Sequence, residues 1–211
     1  MQEISNIVDC YNKTAGKYAE KFLNELDEKP LDRILLQAFA DQNLQRGQLI
    51  DLGCGPGHTT KFMYDHGFVN VVGTDIASEM VRVAKANHPP IAFEQANLLK
   101  LKYKNSSFGS ALAFYSIVNF DYSQVQMALK EISRILVTDG ELLLAFHAGN
   151  EIIQLTEFLG ESVDIKFQLF DTNRIKAILN GSGFRVIDLI KREPYATEHQ
   201  TERAYLWVKK G

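Results

Sequence analysis

The segment Leu49-Ile50-Asp51-Leu52-Gly53-Cys54-Gly55-Pro56-Gly57-His58-Thr59-Thr60 constrains this chain more than any other. A short apolar run, read as a strand, meets a turn with glycine at every second position, and a helix begins near Thr59. Glycine takes dihedrals closed to other residues and lets a ligand touch bare backbone. A helix start adds free N–H groups and a positive dipole end that favour an anionic group. The next apolar run ends in Asp75, whose carboxylate suits both hydroxyls of a ribose. The layout is that of a nucleotide-type cofactor site at the strand ends of an α/β sheet.

Spacing narrows the cofactor. The dinucleotide fingerprint G-x-G-x-x-G asks for glycine or alanine where His58 stands, for close helix-strand packing. The phosphate-binding G-x-x-x-x-G-K-[ST] is absent, since no Gly-Lys-Ser or Gly-Lys-Thr occurs. What remains is Asp51-x-Gly53-x-Gly55-x-Gly57, which resembles motif I of the class I S-adenosylmethionine-dependent methyltransferases. Val71-Val72-Gly73-Thr74-Asp75 is similar to the family's second strand with its ribose-binding acid, and Ile76 to Met80 to the stretch that walls the adenine. Ile91 to Gln95 leads to Ala96-Asn97-Leu98-Leu99. The family often has aspartate where Asn97 stands, and asparagine keeps a carbonyl acceptor without the charge. Ser106 to Ile117 resembles the fourth strand and the mouth of the site, and Glu131 to Leu144 the helix and fifth strand that follow.

The resemblance, over roughly residues 45 to 148, implies a Rossmann-like α/β fold: a mostly parallel seven-stranded sheet with helices on both faces and an antiparallel edge strand. It implies S-adenosylmethionine as cofactor and S-adenosylhomocysteine as product. The cofactor-binding set it implies is Tyr18, Asp51, Gly53, Cys54, Gly55, Gly57, Asp75, Ile76, Met80, Asn97, Leu98 and Phe114. The turn would present backbone to the methionine part, with Asp51 and the carbonyl near Phe114 as candidates to receive its ammonium. A dinucleotide-dependent oxidoreductase and a non-catalytic, methyltransferase-like binding protein stand as alternatives.

Composition sets limits around this. With 23 basic and 26 acidic residues and a net charge of -3, the chain lacks the electrostatic footprint of a nucleic-acid or anionic-membrane binder. Two cysteines, Cys10 and Cys54, without a C-x-x-C pair suggest neither a disulfide framework nor a zinc site. No metal is expected, and no signal-peptide layout or membrane-length apolar run is seen. A cytoplasmic enzyme with a small-molecule methyl acceptor is the expectation.

Residues 1–211 read as one domain: a helical lid to 45, a cofactor core over 46–148, an inserted cap over 149–170, and a C-terminal helix with edge strands over 171–211. In the lid, Leu31, Ile34, Leu35, Ala38 and Phe39 form one helical stripe behind Pro30. Ser78 and Thr172 are candidate helix caps. Val125, Ala128, Leu129, Ile132, Ile135 and Leu136 make the strongest stripe, with Gly140 ending that segment. Ala148 to Val163 reads as an amphipathic segment and Asp164 to Phe170 alternates as an edge strand does. Arg185 to Ile190 and Arg203 to Val208, joined by a short link, suggest an antiparallel pair.

The acceptor side is less legible. Tyr11 and Tyr18, seven apart, share a helical face, and the segment around them resembles the tyrosine-bearing lid helix of many small-molecule members. Tyr115, Asn119, Phe120, Asp121 and His147 fall at or after strand carboxyl ends, where open α/β sheets bind ligands. His147 is a weak candidate base, with a structural, hydrogen-bonded histidine as the favoured reading. Glu198 to Arg203 reads as a solvated loop, and Met63, Met80 and Met127 as core or pocket wall.

Overall fold

A computed structural model describes residues 3–211. Two helices, α1 (Ile4–Phe22) and α2 (Pro30–Asn43), flank a 3-10 turn at Glu25–Glu28. Strands and helices then alternate: β1 (Leu49–Leu52), α3 (His58–Asp65), β2 (Val71–Asp75), α4 (Ser78–Asn87), β3 (Ala92–Gln95), β4 (Phe108–Phe114), α5 (Tyr122–Ile135) and β5 (Leu136–His147). A hairpin of β6 (Ile152–Phe158) and β7 (Glu161–Gln168) precedes α6 (Thr172–Gly181), β8 (Phe184–Arg192) and β9 (Arg203–Lys210).

The seven-stranded sheet has the order β3-β2-β1-β4-β5-β9-β8. Neighbours from β3 to β5 pair in parallel, and β9 runs antiparallel to both β5 and β8. Crossover helices explain the parallel part, because a parallel pair needs a long connection that packs back on the sheet. Alternate side chains serve two cores. Ala111, Ala113, Leu142 and Leu144 pack with α5 and α6. Leu112, Phe114, Leu143 and Ala145 pack with α2 and α3 on the other face. The reversal of strand order at β1 and β4 opens a crevice at their carboxyl ends, the place where doubly wound sheets hold ligands.

Several local expectations are corrected. The buried face of α2 is Asp32, Leu35, Leu36, Phe39, Ala40 and Asn43, while Ile34 is 62% exposed. Two polar side chains in the buried face hid its register from an apolar-only count. Ser78 does not cap α4: it is the first helical residue, and Asn12 of α1 accepts from the Glu79 N–H instead. Asp171, not Thr172, caps α6 by accepting from the Arg174 N–H at 2.7 Å. Gly140 ends no helix; it lies inside β5, which starts directly at Leu136. Met127 faces out, 48% exposed.

The larger correction is the cap. Ala148 to Val163 contains no helix, and Asp164 to Phe170 is no edge of the main sheet. β6 and β7 pair with each other around Leu159 and Gly160, which both have positive φ, as a two-residue hairpin turn demands. The hairpin is tied to α1, since Asn6 donates to Asp164 and Lys17 pairs with Glu161 at 2.6 Å. One of its faces is more covered than the other, and the exposure alternates along both strands as the strand period requires.

Candidate active site

Asp75 organises the crevice. One carboxylate oxygen accepts the Gly55 N–H at 3.0 Å and the other the Ala77 N–H at 2.9 Å, which fixes the glycine turn against the β2 tip. Burial pushes its pKa up to about 6, against the pull of these N–H bonds. Gly53, Gly55 and Gly57 all have positive φ. At Gly53 a Cβ would sit 2.4 Å from the Ser116 Cβ, so only glycine lets this turn meet the segment that follows β4. Tyr115, just after β4, also has a positive φ of 54°, an uncommon conformation for a bulky residue; it lines the cavity, with its hydroxyl 2.9 Å from that of Tyr205.

The resulting cavity is lined by Tyr18, Gly53, Cys54, Gly55, Asp75, Ile76, Met80, Leu98 and Phe114 of the residues expected at the cofactor, and by Tyr11, Tyr115 and Asn119 of those expected at the acceptor. Asp51, Gly57 and Asn97 lie outside its lining. Asp51 is buried and turned toward α3, accepting from the Thr59 and Thr60 hydroxyls at 2.6 and 2.7 Å. Burial raises its pKa, and the two hydroxyls oppose that rise. Asn97 accepts the Leu99 N–H at 2.9 Å, closing its own turn. Asp121 caps α5 in a capping box with Gln124.

His147 lies elsewhere. It lines a second cavity that shares Tyr11, Tyr18, Glu25, Tyr115 and Val118 with the first. Its Nδ1 is 2.8 Å from the Thr201 hydroxyl. Burial, reinforced by the charge on Arg203, pushes its pKa down to about 3, so the imidazole is neutral. A base this weak holds a proton poorly near neutral pH.

The sequence reading missed several residues here. Glu25 joins His58 at 2.9 Å and Lys29 at 2.7 Å at the seam between the cavities. Burial pushes its carboxyl up, but the bonds to His58 and Lys29 outweigh this and bring its pKa down to about 2. The expected solvated loop over 198–203 is instead the lid of a buried network. Arg192 binds both oxygens of Glu198 at 2.6 and 2.8 Å and reaches Asp32 at 3.2 Å; the Tyr205 hydroxyl donates to Asp32 at 2.5 Å and meets that of Tyr115 at 2.9 Å. These contacts join α2, β8, β9 and the loop before β9, so no local pattern announces them.

The residues present fit S-adenosylmethionine. Gly55 offers bare backbone to the cavity, Asp75 offers a carboxylate at the β2 tip, and Ser116 contributes a buried hydroxyl with no partner among the described residues. Residues 49–140 match the family model described as a methyltransferase domain. Residues 49–140 carry a methyltransferase domain, and the fold around it is that of the class I S-adenosylmethionine-dependent methyltransferases. An uncharacterized protein of Methanocaldococcus jannaschii is 26% identical over 215 residues, spanning 88% of this chain and 79% of the relative. An uncharacterized methyltransferase of Bacillus subtilis, YcgJ, is 30% identical over 117 residues, 53% of this chain and 45% of the relative. In fold, it superposes on the magnesium protoporphyrin IX methyltransferase of Synechocystis, solved with bound S-adenosylhomocysteine, with a TM-score of 0.76 at 16% identity, over 99% of this chain and 100% of the other. Among the described residues no helix is long and apolar enough to cross a membrane, and no group of three or more His, Cys, Asp or Glu side chains is placed to hold a metal ion.

Proposed function

We propose that this methyltransferase moves the methyl group of S-adenosylmethionine to a small-molecule acceptor in the second cavity, by positioning and desolvation. The observation that carries this reading is the shared wall: Tyr11, Tyr18, Glu25, Tyr115 and Val118 line both cavities. When bound, the cofactor supplies an activated methyl on a sulfonium that leaves as a neutral thioether. Asp75 receives the ribose hydroxyls, and Ile76, Met80 and Leu98 enclose the adenine. Gly53, Cys54 and Gly55 lay backbone along the methionine portion, the Phe114 carbonyl receives its ammonium, and Tyr18 closes over it from α1. Asp51 acts from behind, holding Thr59 and Thr60 at the start of α3.

Holding an acceptor in line is worth about 7–11 kcal/mol of a barrier. A dedicated base adds roughly 10²- to 10⁴-fold in rate, so positioning outweighs it, and the neutral His147 is a wall residue. Incubation with methyl-labelled S-adenosylmethionine and a fractionated metabolite extract tests this. Label in a small-molecule fraction is expected. Label confined to protein or nucleic acid, or no transfer from a protein that binds the cofactor, contradicts it.

A further inference from the structure

The second cavity has two unlike ends. At one, Phe158 of the hairpin stands 6.3 Å from both Tyr11 and Tyr18 and 5.7 Å from Phe167, ring centroid to ring centroid, forming an aromatic wall between α1 and the hairpin. At the other, Lys29 Nζ and Arg203 Cζ lie 5.2 and 5.9 Å from the Tyr115 ring centroid. We propose that this cavity selects an acceptor with a flat, apolar or aromatic body ending in a carboxylate, and that Arg203 and Lys29 hold the carboxylate. The proposal rests on the methyltransferase reading above and names the substrate class of that same site.

Arg203 is the deciding residue. It is 2% exposed, and its terminal nitrogens are engaged by the Thr201 carbonyl and hydroxyl and by the His199 carbonyl. Its Nε has no hydrogen-bond partner among the described residues. A buried cationic donor without a partner is costly, and because Arg203 lines the second cavity, an anion bound there would lower that cost through its charge. The planar guanidinium also matches a carboxylate in geometry.

The charge balance at the cavity surface agrees. Lys21, Lys29 and Arg203 line it against a single carboxylate, Glu25, which is already engaged by His58 and Lys29. Glu198 faces Lys29 and Arg203 only at 3.5 and 3.9 Å and spends its close contacts on Arg192. The surface therefore keeps an excess of positive charge and disfavours an amine-bearing ligand. With Glu25 offsetting Lys29, the charge left at this end matches a single negative charge, which favours a carboxylate over a phosphate monoester.

Calorimetric titration of the full chain saturated with S-adenosylhomocysteine tests this, with 2-naphthoate, its uncharged amide 2-naphthamide, and 1-naphthyl phosphate as probes. The acid is expected to bind about tenfold more tightly than the amide, the margin of one charge-assisted pair. Arg203→Gln and Lys29→Gln should each erase most of that margin while leaving S-adenosylhomocysteine affinity nearly unchanged. Should Arg203→Gln lose its cooperative melt, Lys29→Gln decides. Equal affinity for acid and amide, a margin that survives in the folded variants, tighter binding of the phosphate than the acid, or no binding of any probe overturns the proposal. Failure of the wild-type protein to bind S-adenosylhomocysteine would strike the methyltransferase reading instead.

Discussion

The cofactor-side cavity takes most of its walls from turns at the carboxyl ends of adjacent parallel strands, between Gly53 and Phe120. The acceptor-side cavity is assembled from α1, the turn after it, the hairpin and the loop before β9, segments as far apart as Tyr11 and Arg203. The first is held by backbone: Asp75 fastens two turns through their own N–H groups. The second is held by side chains, through the buried ion network around Arg192. Backbone-held sites follow from topology and short spacing, whereas side-chain networks specify a site only once distant segments have met.

That difference can be broken from the acceptor side first. Arg192→Met would leave Asp32 and Glu198, both almost fully buried, without their central cation. Removing one partner of a buried ionic group costs about 3–5 kcal/mol, and chemical denaturation should show a loss of that size. A loss below about 1 kcal/mol, the worth of an exposed pair, would mean that the network does not hold the acceptor side together.

On the cofactor side, Asp75→Ala should weaken S-adenosylhomocysteine binding by about 1.5–3 kcal/mol, the worth of hydrogen bonds to a charged group, while the melt remains cooperative. Titration calorimetry reads it, and unchanged affinity would remove Asp75 from the site. The same residue sets a pH dependence. Folding raises its pKa from 3.8 to about 6, so the cofactor-free protein loses stability as pH rises across that window. If the Asp75 carboxylate accepts from the ribose, cofactor affinity should climb as pH rises through about 6.

Gly53→Ala sharpens the role of backbone. Its Cβ would meet Ser116 at a φ of +72°, a position strained for any side chain. Overpacking of this kind costs about 1–3 kcal/mol, and both the melting temperature and S-adenosylhomocysteine affinity should fall. A variant with wild-type values of both would show that the turn has room to spare. The smallest effect belongs to His147, whose pKa near 3 predicts no imidazole titration by nuclear magnetic resonance at neutral or mildly acidic pH. A titration centred near the ordinary histidine value of about 6.5 would show that it is solvated and free to serve as a base.

Legibility in the sequence follows the same division. The strand-turn-helix run from Leu49, the acid at Asp75 and the stripe of α5 as far as Ile135 were readable because each is local, whereas Leu136, counted with that stripe, opens β5. The stripe of α2 was misread because Asp32 and Asn43 are polar yet buried, their partners lying on β9, β8 and β5. The hairpin was misread because a two-residue turn through Leu159-Gly160 lacks the usual asparagine or aspartate signal. Glu198 and Arg203 resemble a solvated loop in sequence, and only the folded chain brings Arg192, Tyr205 and Lys29 around them. Asn97 was legible as a polar residue at a turn and Asp51 as the acid that precedes the glycine loop, but the direction each side chain takes is set by neighbours in space.

Titration calorimetry of the wild-type chain against S-adenosylhomocysteine and against NAD tests the central claim most directly. Saturable binding of S-adenosylhomocysteine with no heat from NAD is the predicted result; binding of NAD with none of S-adenosylhomocysteine would contradict the account.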